Sequence, residues 1–195
     1  MKKRILPLLL AVLLLTGCVA GEPQAQIAAT TLPVYELTTR LCNGTGLTVT
    51  QLVTEAVSCL HDYSLNVRQV RAAEAAELIV ISGAGLEDFM DDLIHDKATI
   101  DSSSGIHLIE SGHEHDHGHE ETTHEGHHHE NDPHIWLSPE NAKAMAHNIY
   151  DGLRAQYPAY EETFNANLTA LLADLDKLQA YGEEQLADLS CRELI

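Results

Sequence analysis

"NVRQVRAAEAAELIVISGAGLEDFM", residues 66–90, changes its hydrophobic period partway along. Val67, Val70, Ala73 and Glu77 fall on one face at helical spacing. Leu78–Ser82 is then a short unbroken apolar run closed by Gly83, the pattern of a strand buried on both faces. Leu86, Phe89, Met90, Leu93 and Ile94 return to the helical period. Three further segments have the character of buried strands: Ile27–Leu32, Leu47–Val53 and Ile106–Glu110. Between the first two, Tyr35, Leu37 and Leu41 share a helical face. Strand–helix alternation predicts an α/β fold, with a four-stranded parallel sheet flanked by helices. Such sheets bind ligands beyond the carboxyl ends of their strands.

Outside this body the chain is equally distinct. It opens MKKRILPLLLAVLLLTGC, in which Lys2, Lys3 and Arg4 precede an apolar run too short to span a bilayer, the composition of an export signal. Leu15-Thr16-Gly17-Cys18 resembles the lipobox at which bacterial lipoproteins are cut and acylated. The resemblance implies a mature protein that begins at Cys18 and is held by lipid at the outer face of the cytoplasmic membrane. Residues 19–26 read as a tether. The formal net charge is −19 over 195 residues, and loss of the three leading cations makes it three units more negative. So acidic a surface repels nucleic acid and gathers cations. Export permits a disulfide, and Cys42 with Cys59 either forms one or supplies two buried thiols; Cys191 has no evident partner.

Residues 112–134, "GHEHDHGHEETTHEGHHHENDPH", hold nine histidines among carboxylates. Nothing apolar in residues 112–131 repays the entropy of ordering, so the sequence predicts a mobile loop. Its His113, His115, His117, His119, His124, His127, His128 and His129 form a tract suited to weak, shifting capture of several cations. After it, Ser138 is placed as an N-cap and Pro139 as the first residue of a helix. A second helix is expected from Pro158 to about residue 190. Its stripe of Phe164, Leu168, Leu171, Leu175 and Leu178 is long enough, at about 45 Å, to be a strut between two bodies.

Two histidines outside the tract stand at matching places. His61, in Cys59-Leu60-His61-Asp62-Tyr63, follows the second strand, and His134, in Asp132-Pro133-His134-Ile135-Trp136, follows the fourth. Neutral imidazole suits zinc and similar divalent cations. Asp62 and Asp132 are either partners that orient these rings or turn formers. Trp136 reads as a packing residue and Glu87 as a local hydrogen-bonding group. His95, His107 and His147 read as surface or edge residues.

"HDYSLNVRQVRAAEAAELIVISGAGLEDFM" at 61–90 and "NDPHIWLSPENAKAMAHNI" at 131–149, with the lipobox and the His-rich loop in that order, resemble the zinc- and manganese-type solute-binding lipoproteins of ABC importers. That family has two α/β lobes joined by a long helix, with a divalent cation held in the cleft. The resemblance implies an N-terminal lobe at 27–157, a linking helix at 158–190 and, at 191–195, the start of a second lobe that is absent here, as in a truncated chain. It also implies that His61 and His134 are metal ligands, that the cargo is Zn²⁺ rather than Mn²⁺ because of the tract, and that the partner is an importer permease. Some zinc-type members add a Glu just before the first ligand, where this chain has Leu60. Two imidazoles fill half a tetrahedron, so the expected site is weak and exchangeable.

The resulting reading is a non-enzyme for high-affinity capture of extracytoplasmic divalent metal, zinc foremost, and its delivery to an ABC importer, with this chain as one part of the whole. The alternatives are an extracellular His-rich zinc buffer or adhesin-like lipoprotein, in which only the tract matters, and a metallohydrolase, which requires a third fixed ligand and a base that no motif supplies.

Overall fold

The computed structural model describes residues 25–55, 63–110 and 131–189. The lipobox with Cys18, most of the tether, Cys59, His61, Asp62, the tract from His113 to His129, and Cys191 lie outside the described residues.

Four short strands form one parallel sheet in the order β2-β1-β3-β4: β1 (Ile27–Ala29), β2 (Val49–Gln51), β3 (Leu78–Ile81) and β4 (Thr99–Asp101). The register sets Ala28 opposite Thr50 on one side and Ile79 on the other, while Val80 faces Ile100. Side chains alternate across the pleat. Ile27, Ala29, Leu78, Val80 and Ile100 pack on one face, and Ala28 and Ile79 on the other. The first face is covered by α1 (Leu32–Leu41), α4 (Pro139–Gln156) and α5 (Glu161–Leu186), which contribute Leu41, Met145, Ile149, Leu153 and Phe164. The second face is covered by α2 (Val67–Ala75), by a 3-10 turn at Asp88–Met90 and by the single turn α3 (Asp91–Ile94), through Ala73, Met90 and their neighbours. Burial on both faces is the reason the central strands read as unbroken apolar runs.

The helices begin where their chemistry allows. Asn66 Oδ1 accepts from the backbone N–H of Arg68 (2.9 Å) and Gln69 (3.1 Å), and Gln69 Oε1 accepts from the Asn66 N–H (2.8 Å), a reciprocal cap at the start of α2. Ser138 caps α4, with Pro139 first in the helix.

The structure corrects two strand boundaries. The fourth strand is Thr99–Asp101, not Ile106–Glu110. Asp101 Oδ1 accepts from the Ser103 N–H (2.8 Å) and from its hydroxyl (2.7 Å), turning the chain out of the sheet. Ile109 beyond the turn is 74% exposed. The true strand has a single inward apolar residue, Ile100, between two exposed polar ones, too little for an apolar run to register. The first strand stops at Ala29, because Thr31 becomes the N-cap of α1 and Leu32 its first residue.

α5 begins at Glu161, after a 3-10 turn at Pro158–Tyr160, and its 26 residues span about 39 Å. Phe164, Leu168 and Leu171 are buried, whereas Leu178, Tyr181 and Leu186 are exposed. Arg40 pairs with Asp174, and Lys143 Nζ reaches Asp176 (2.9 Å), so α1 and α4 both grip its middle. Cys42 is a free, buried thiol whose pKa desolvation pushes up to about 12, which keeps it unreactive.

α4 crosses β4 closely at Gly152, where a Cβ would overlap the Ile100 side chain. G152A is expected to lower unfolding free energy by about 1–3 kcal/mol, measured by urea denaturation.

Candidate metal site

The carboxyl ends of the strands form a polar rim. Thr30 follows β1, Ser82 follows β3 and Ser102 follows β4, and all three are fully buried. Ser102 Oγ donates to the Ser82 carbonyl (2.9 Å), and the Thr31 and Ser82 hydroxyls share a 2.8 Å hydrogen bond. Glu87 ties the rim together. It accepts from Thr30 Oγ1 (2.6 Å) and from the N–H groups of Ser82 (2.7 Å) and Gly83 (2.9 Å). Gly83 must be glycine: its φ is +81°, and a Cβ would run into the side chains of Asp101 and Ser103. With both carboxylate oxygens occupied by these donors, Glu87 is a structural clamp and not a metal ligand. Desolvation raises its pKa to about 7 in spite of the donated hydrogen bonds.

His134 lies at the edge of this rim. It opens a 3-10 turn, Ile135–Leu137, just ahead of α4. Asp132 Oδ1 accepts from the His134 backbone N–H (2.9 Å) and stands 2.7 Å from its ring Nδ1. These bonds, the backbone one foremost, hold the Asp132 carboxyl below its ordinary range. An ionised carboxylate only accepts, so a neutral ring facing it keeps its proton on Nδ1 and its lone pair on Nε2. That is the tautomer a metal-ligating histidine needs. The Trp136 ring, tilted 59° at 5.3 Å between centroids, walls one side of the imidazole.

The ring lines an open cleft of about 320 Å³ with Asp132, Ile135, Leu137, Ser138 and Asn141. His107 and Ile109 complete the lining. His107, read from sequence as a surface residue, is exposed but shares a cavity with His134. Its five-residue spacing from the turn at Ser102 carries no motif, so only the folded chain reveals it. Among the described residues, no three His, Cys, Asp or Glu side chains converge closely enough to hold a metal.

The root of the His-rich tract is pinned beside this cleft. Glu110 and Asn131 form an antiparallel bridge, and the Asp132 N–H donates to the Ile109 carbonyl (2.8 Å). On the β2 side, the segment bearing His61 departs after Glu55 and rejoins the described chain at Tyr63. Tyr63 Oη donates to Glu55 Oε2 (2.8 Å), and the Tyr63 ring meets Phe89 edge-on at 5.5 Å. Asp132 thus proves to be an orienting partner of His134, and Trp136 its packing neighbour. Among the described residues, no helix is long and apolar enough to cross a membrane.

Residues 27–195 match the family described as zinc-uptake complex component A, periplasmic. The chain is 34% identical over 188 residues to the zinc-binding lipoprotein AdcA of Streptococcus pneumoniae (strain ATCC BAA-255 / R6), covering 89% of this chain and 36% of that protein. It is 32% identical over 126 residues to the high-affinity zinc uptake system protein ZnuA of Yersinia pestis, covering 55% of this chain and 40% of that protein. The chain therefore spans well under half the length of these relatives. Its structure resembles the Zn(II)-bound ZnuA-like domain of Streptococcus pneumoniae AdcA, with a TM-score of 0.69 at 27% identity over 86% of this chain and 57% of that one. A crystal structure of ZnuA gives the same TM-score and identity. With the family model covering nearly all of the described body, this chain belongs to the zinc-uptake complex component A family of solute-binding proteins.

Proposed function

We propose that the chain captures Zn²⁺ outside the cytoplasmic membrane for delivery to an ABC importer, holding the ion between Nε2 of His134 and the imidazole of His61. The observation that carries this reading is the Asp132–His134 pair, which presents one lone pair to an open cleft at the carboxyl edge of a parallel sheet. The zinc-binding names of the relatives support zinc over manganese as the cargo. Recognition is by coordination, and no bond of a substrate is made or broken. Cys18 carries the lipid anchor. The histidines from His113 to His129, rooted next to the cleft by the Glu110–Asn131 bridge, raise the local zinc concentration and pass ions inward.

The two imidazoles supply half of the tetrahedral set that zinc prefers. Zinc titration of a variant lacking residues 113–129 is expected to show one ion bound, with binding lost in both H61A and H134A. Binding that survives both substitutions overturns the reading. If zinc binding disappears with the deletion alone, the tract is a buffer and the cleft is not the site.

A further inference from the structure

We infer that His107 is a further ligand for the zinc ion carried by His134; this rests on the proposed role of His134 as a ligand. Both imidazoles line the same open cleft. From Ile106 to Ile109 the side chains alternate as they do along an extended chain. Ile106 and Leu108 pack against the core, while His107 and Ile109 line the cleft. A slip of one residue would exchange the two pairs and turn the imidazole inward. The apolar residues on either side of His107 thus set the direction in which it points.

The segment is also pinned at both ends. Asn148, on α4, donates from Nδ2 to the carbonyls of Ser102 and Ser104 (both 2.8 Å). At the other end the Asp132 N–H donates to the Ile109 carbonyl (2.8 Å), two residues past His107. Asp132 therefore serves both histidines, since its carboxylate orients the His134 ring. The two rings differ in freedom. Asp132 sets His134, whereas no hydrogen bond among the described residues fixes the His107 ring. A pinned backbone with a ring free to turn lets the second imidazole close on an ion that the first has caught. Imidazole nitrogen is a preferred zinc donor, so the ion draws the two together.

The test uses the full chain and zinc alone, with the ring nitrogen signals of His107 and His134 assigned by single substitution and followed by NMR. The two rings are expected to move together, with one midpoint. H107A is expected to weaken zinc binding at His134 about tenfold or more, since even groups that only support a ligand contribute that much. Its thermal midpoint without metal should stay within about 2 °C of the parent, because the side chain is exposed. H147A removes another exposed histidine, on α4, and should leave the His134 midpoint where it was. Three results overturn the inference while leaving the role of His134 standing. They are a His107 ring that stays still or follows the tract while His134 titrates, an H107A midpoint equal to the parent's, and an equal loss in H147A. If zinc leaves the His134 ring of the parent unmoved, the reading beneath the inference falls and takes the inference with it.

Discussion

Replacing Asp132 by alanine is expected to weaken zinc binding at His134 by about 10- to 100-fold, although Asp132 itself contacts no ion. The carboxylate performs two tasks through one oxygen. By accepting the backbone N–H it fixes the turn that carries the ring, and by facing Nδ1 it holds the proton there. Without it the imidazole rotates freely and spends part of its time with the proton on Nε2, the atom zinc requires. The ligand also becomes a weaker donor when no negative charge supports it. D132N separates the two contributions. An amide oxygen can still accept from both nitrogens, so D132N should lose about tenfold or less, while H134A should lose the site altogether. Zinc titration read on the ring signals of His61 and His134 checks the series, using His61 where the His134 ring is gone. Equal affinities for D132A and the parent protein would show that the ring is oriented by other means.

The second large effect falls on Glu87 and on stability. E87A leaves the Thr30 hydroxyl and the N–H groups of Ser82 and Gly83 without an acceptor inside the protein, a loss of about 3–5 kcal/mol from a fold whose whole margin is about 5–15 kcal/mol. The pH dependence has an unusual sign for a carboxylate. Burial raises the folded pKa from its ordinary 4.5 to about 7, with nearby Asp101 adding to the rise. Between those values the folded protein retains a proton that the unfolded chain has released. Stability from this group is therefore full below about pH 4.5, declines as pH rises, and levels off above about 7, a change of about 3 kcal/mol. E87Q has no such proton. The difference between parent and E87Q should accordingly shrink as pH rises from 5 to 8, and subtracting the two urea series removes the background of the titrating histidines. Parallel pH profiles would show that Glu87 is ionised throughout.

How much of this was legible beforehand depends on where each signal lay. The central strands announced themselves because Ile27–Ala29 and Leu78–Ile81 are buried on both faces, which forces unbroken apolar sequence. The edge strand Thr99–Asp101 did not, since one inward residue cannot make a period, and the more apolar Ile106–Ile109 drew the assignment away from it. Ser138-Pro139 marked the start of α4 because capping is local chemistry. The roles of Asp132 and Glu87 were partly visible, each being close in sequence to the group it serves. Gln69 illustrates the opposite case. Its cap with Asn66 is a local signal, but its bonds to Leu52, Glu55 and Tyr63 join residues that only the packing of α2 beside β2 brings together. His107 entered the cleft for the same reason. The placement of His61 lies outside the described residues, and its proposed ligand role rests on the family resemblance and on its position after the second strand.

The bridge between Glu110 and Asn131 has an evolutionary corollary. An appendage whose exit and return points coincide can lengthen or shorten by whole runs of codons while the body that carries it keeps its shape. Each doubling of such a closed segment adds only about 0.6 kcal/mol of closure entropy. Selection can thus tune the number of imidazoles displayed to scarce or plentiful metal as an independent variable, leaving the packing of α4 on the sheet untouched.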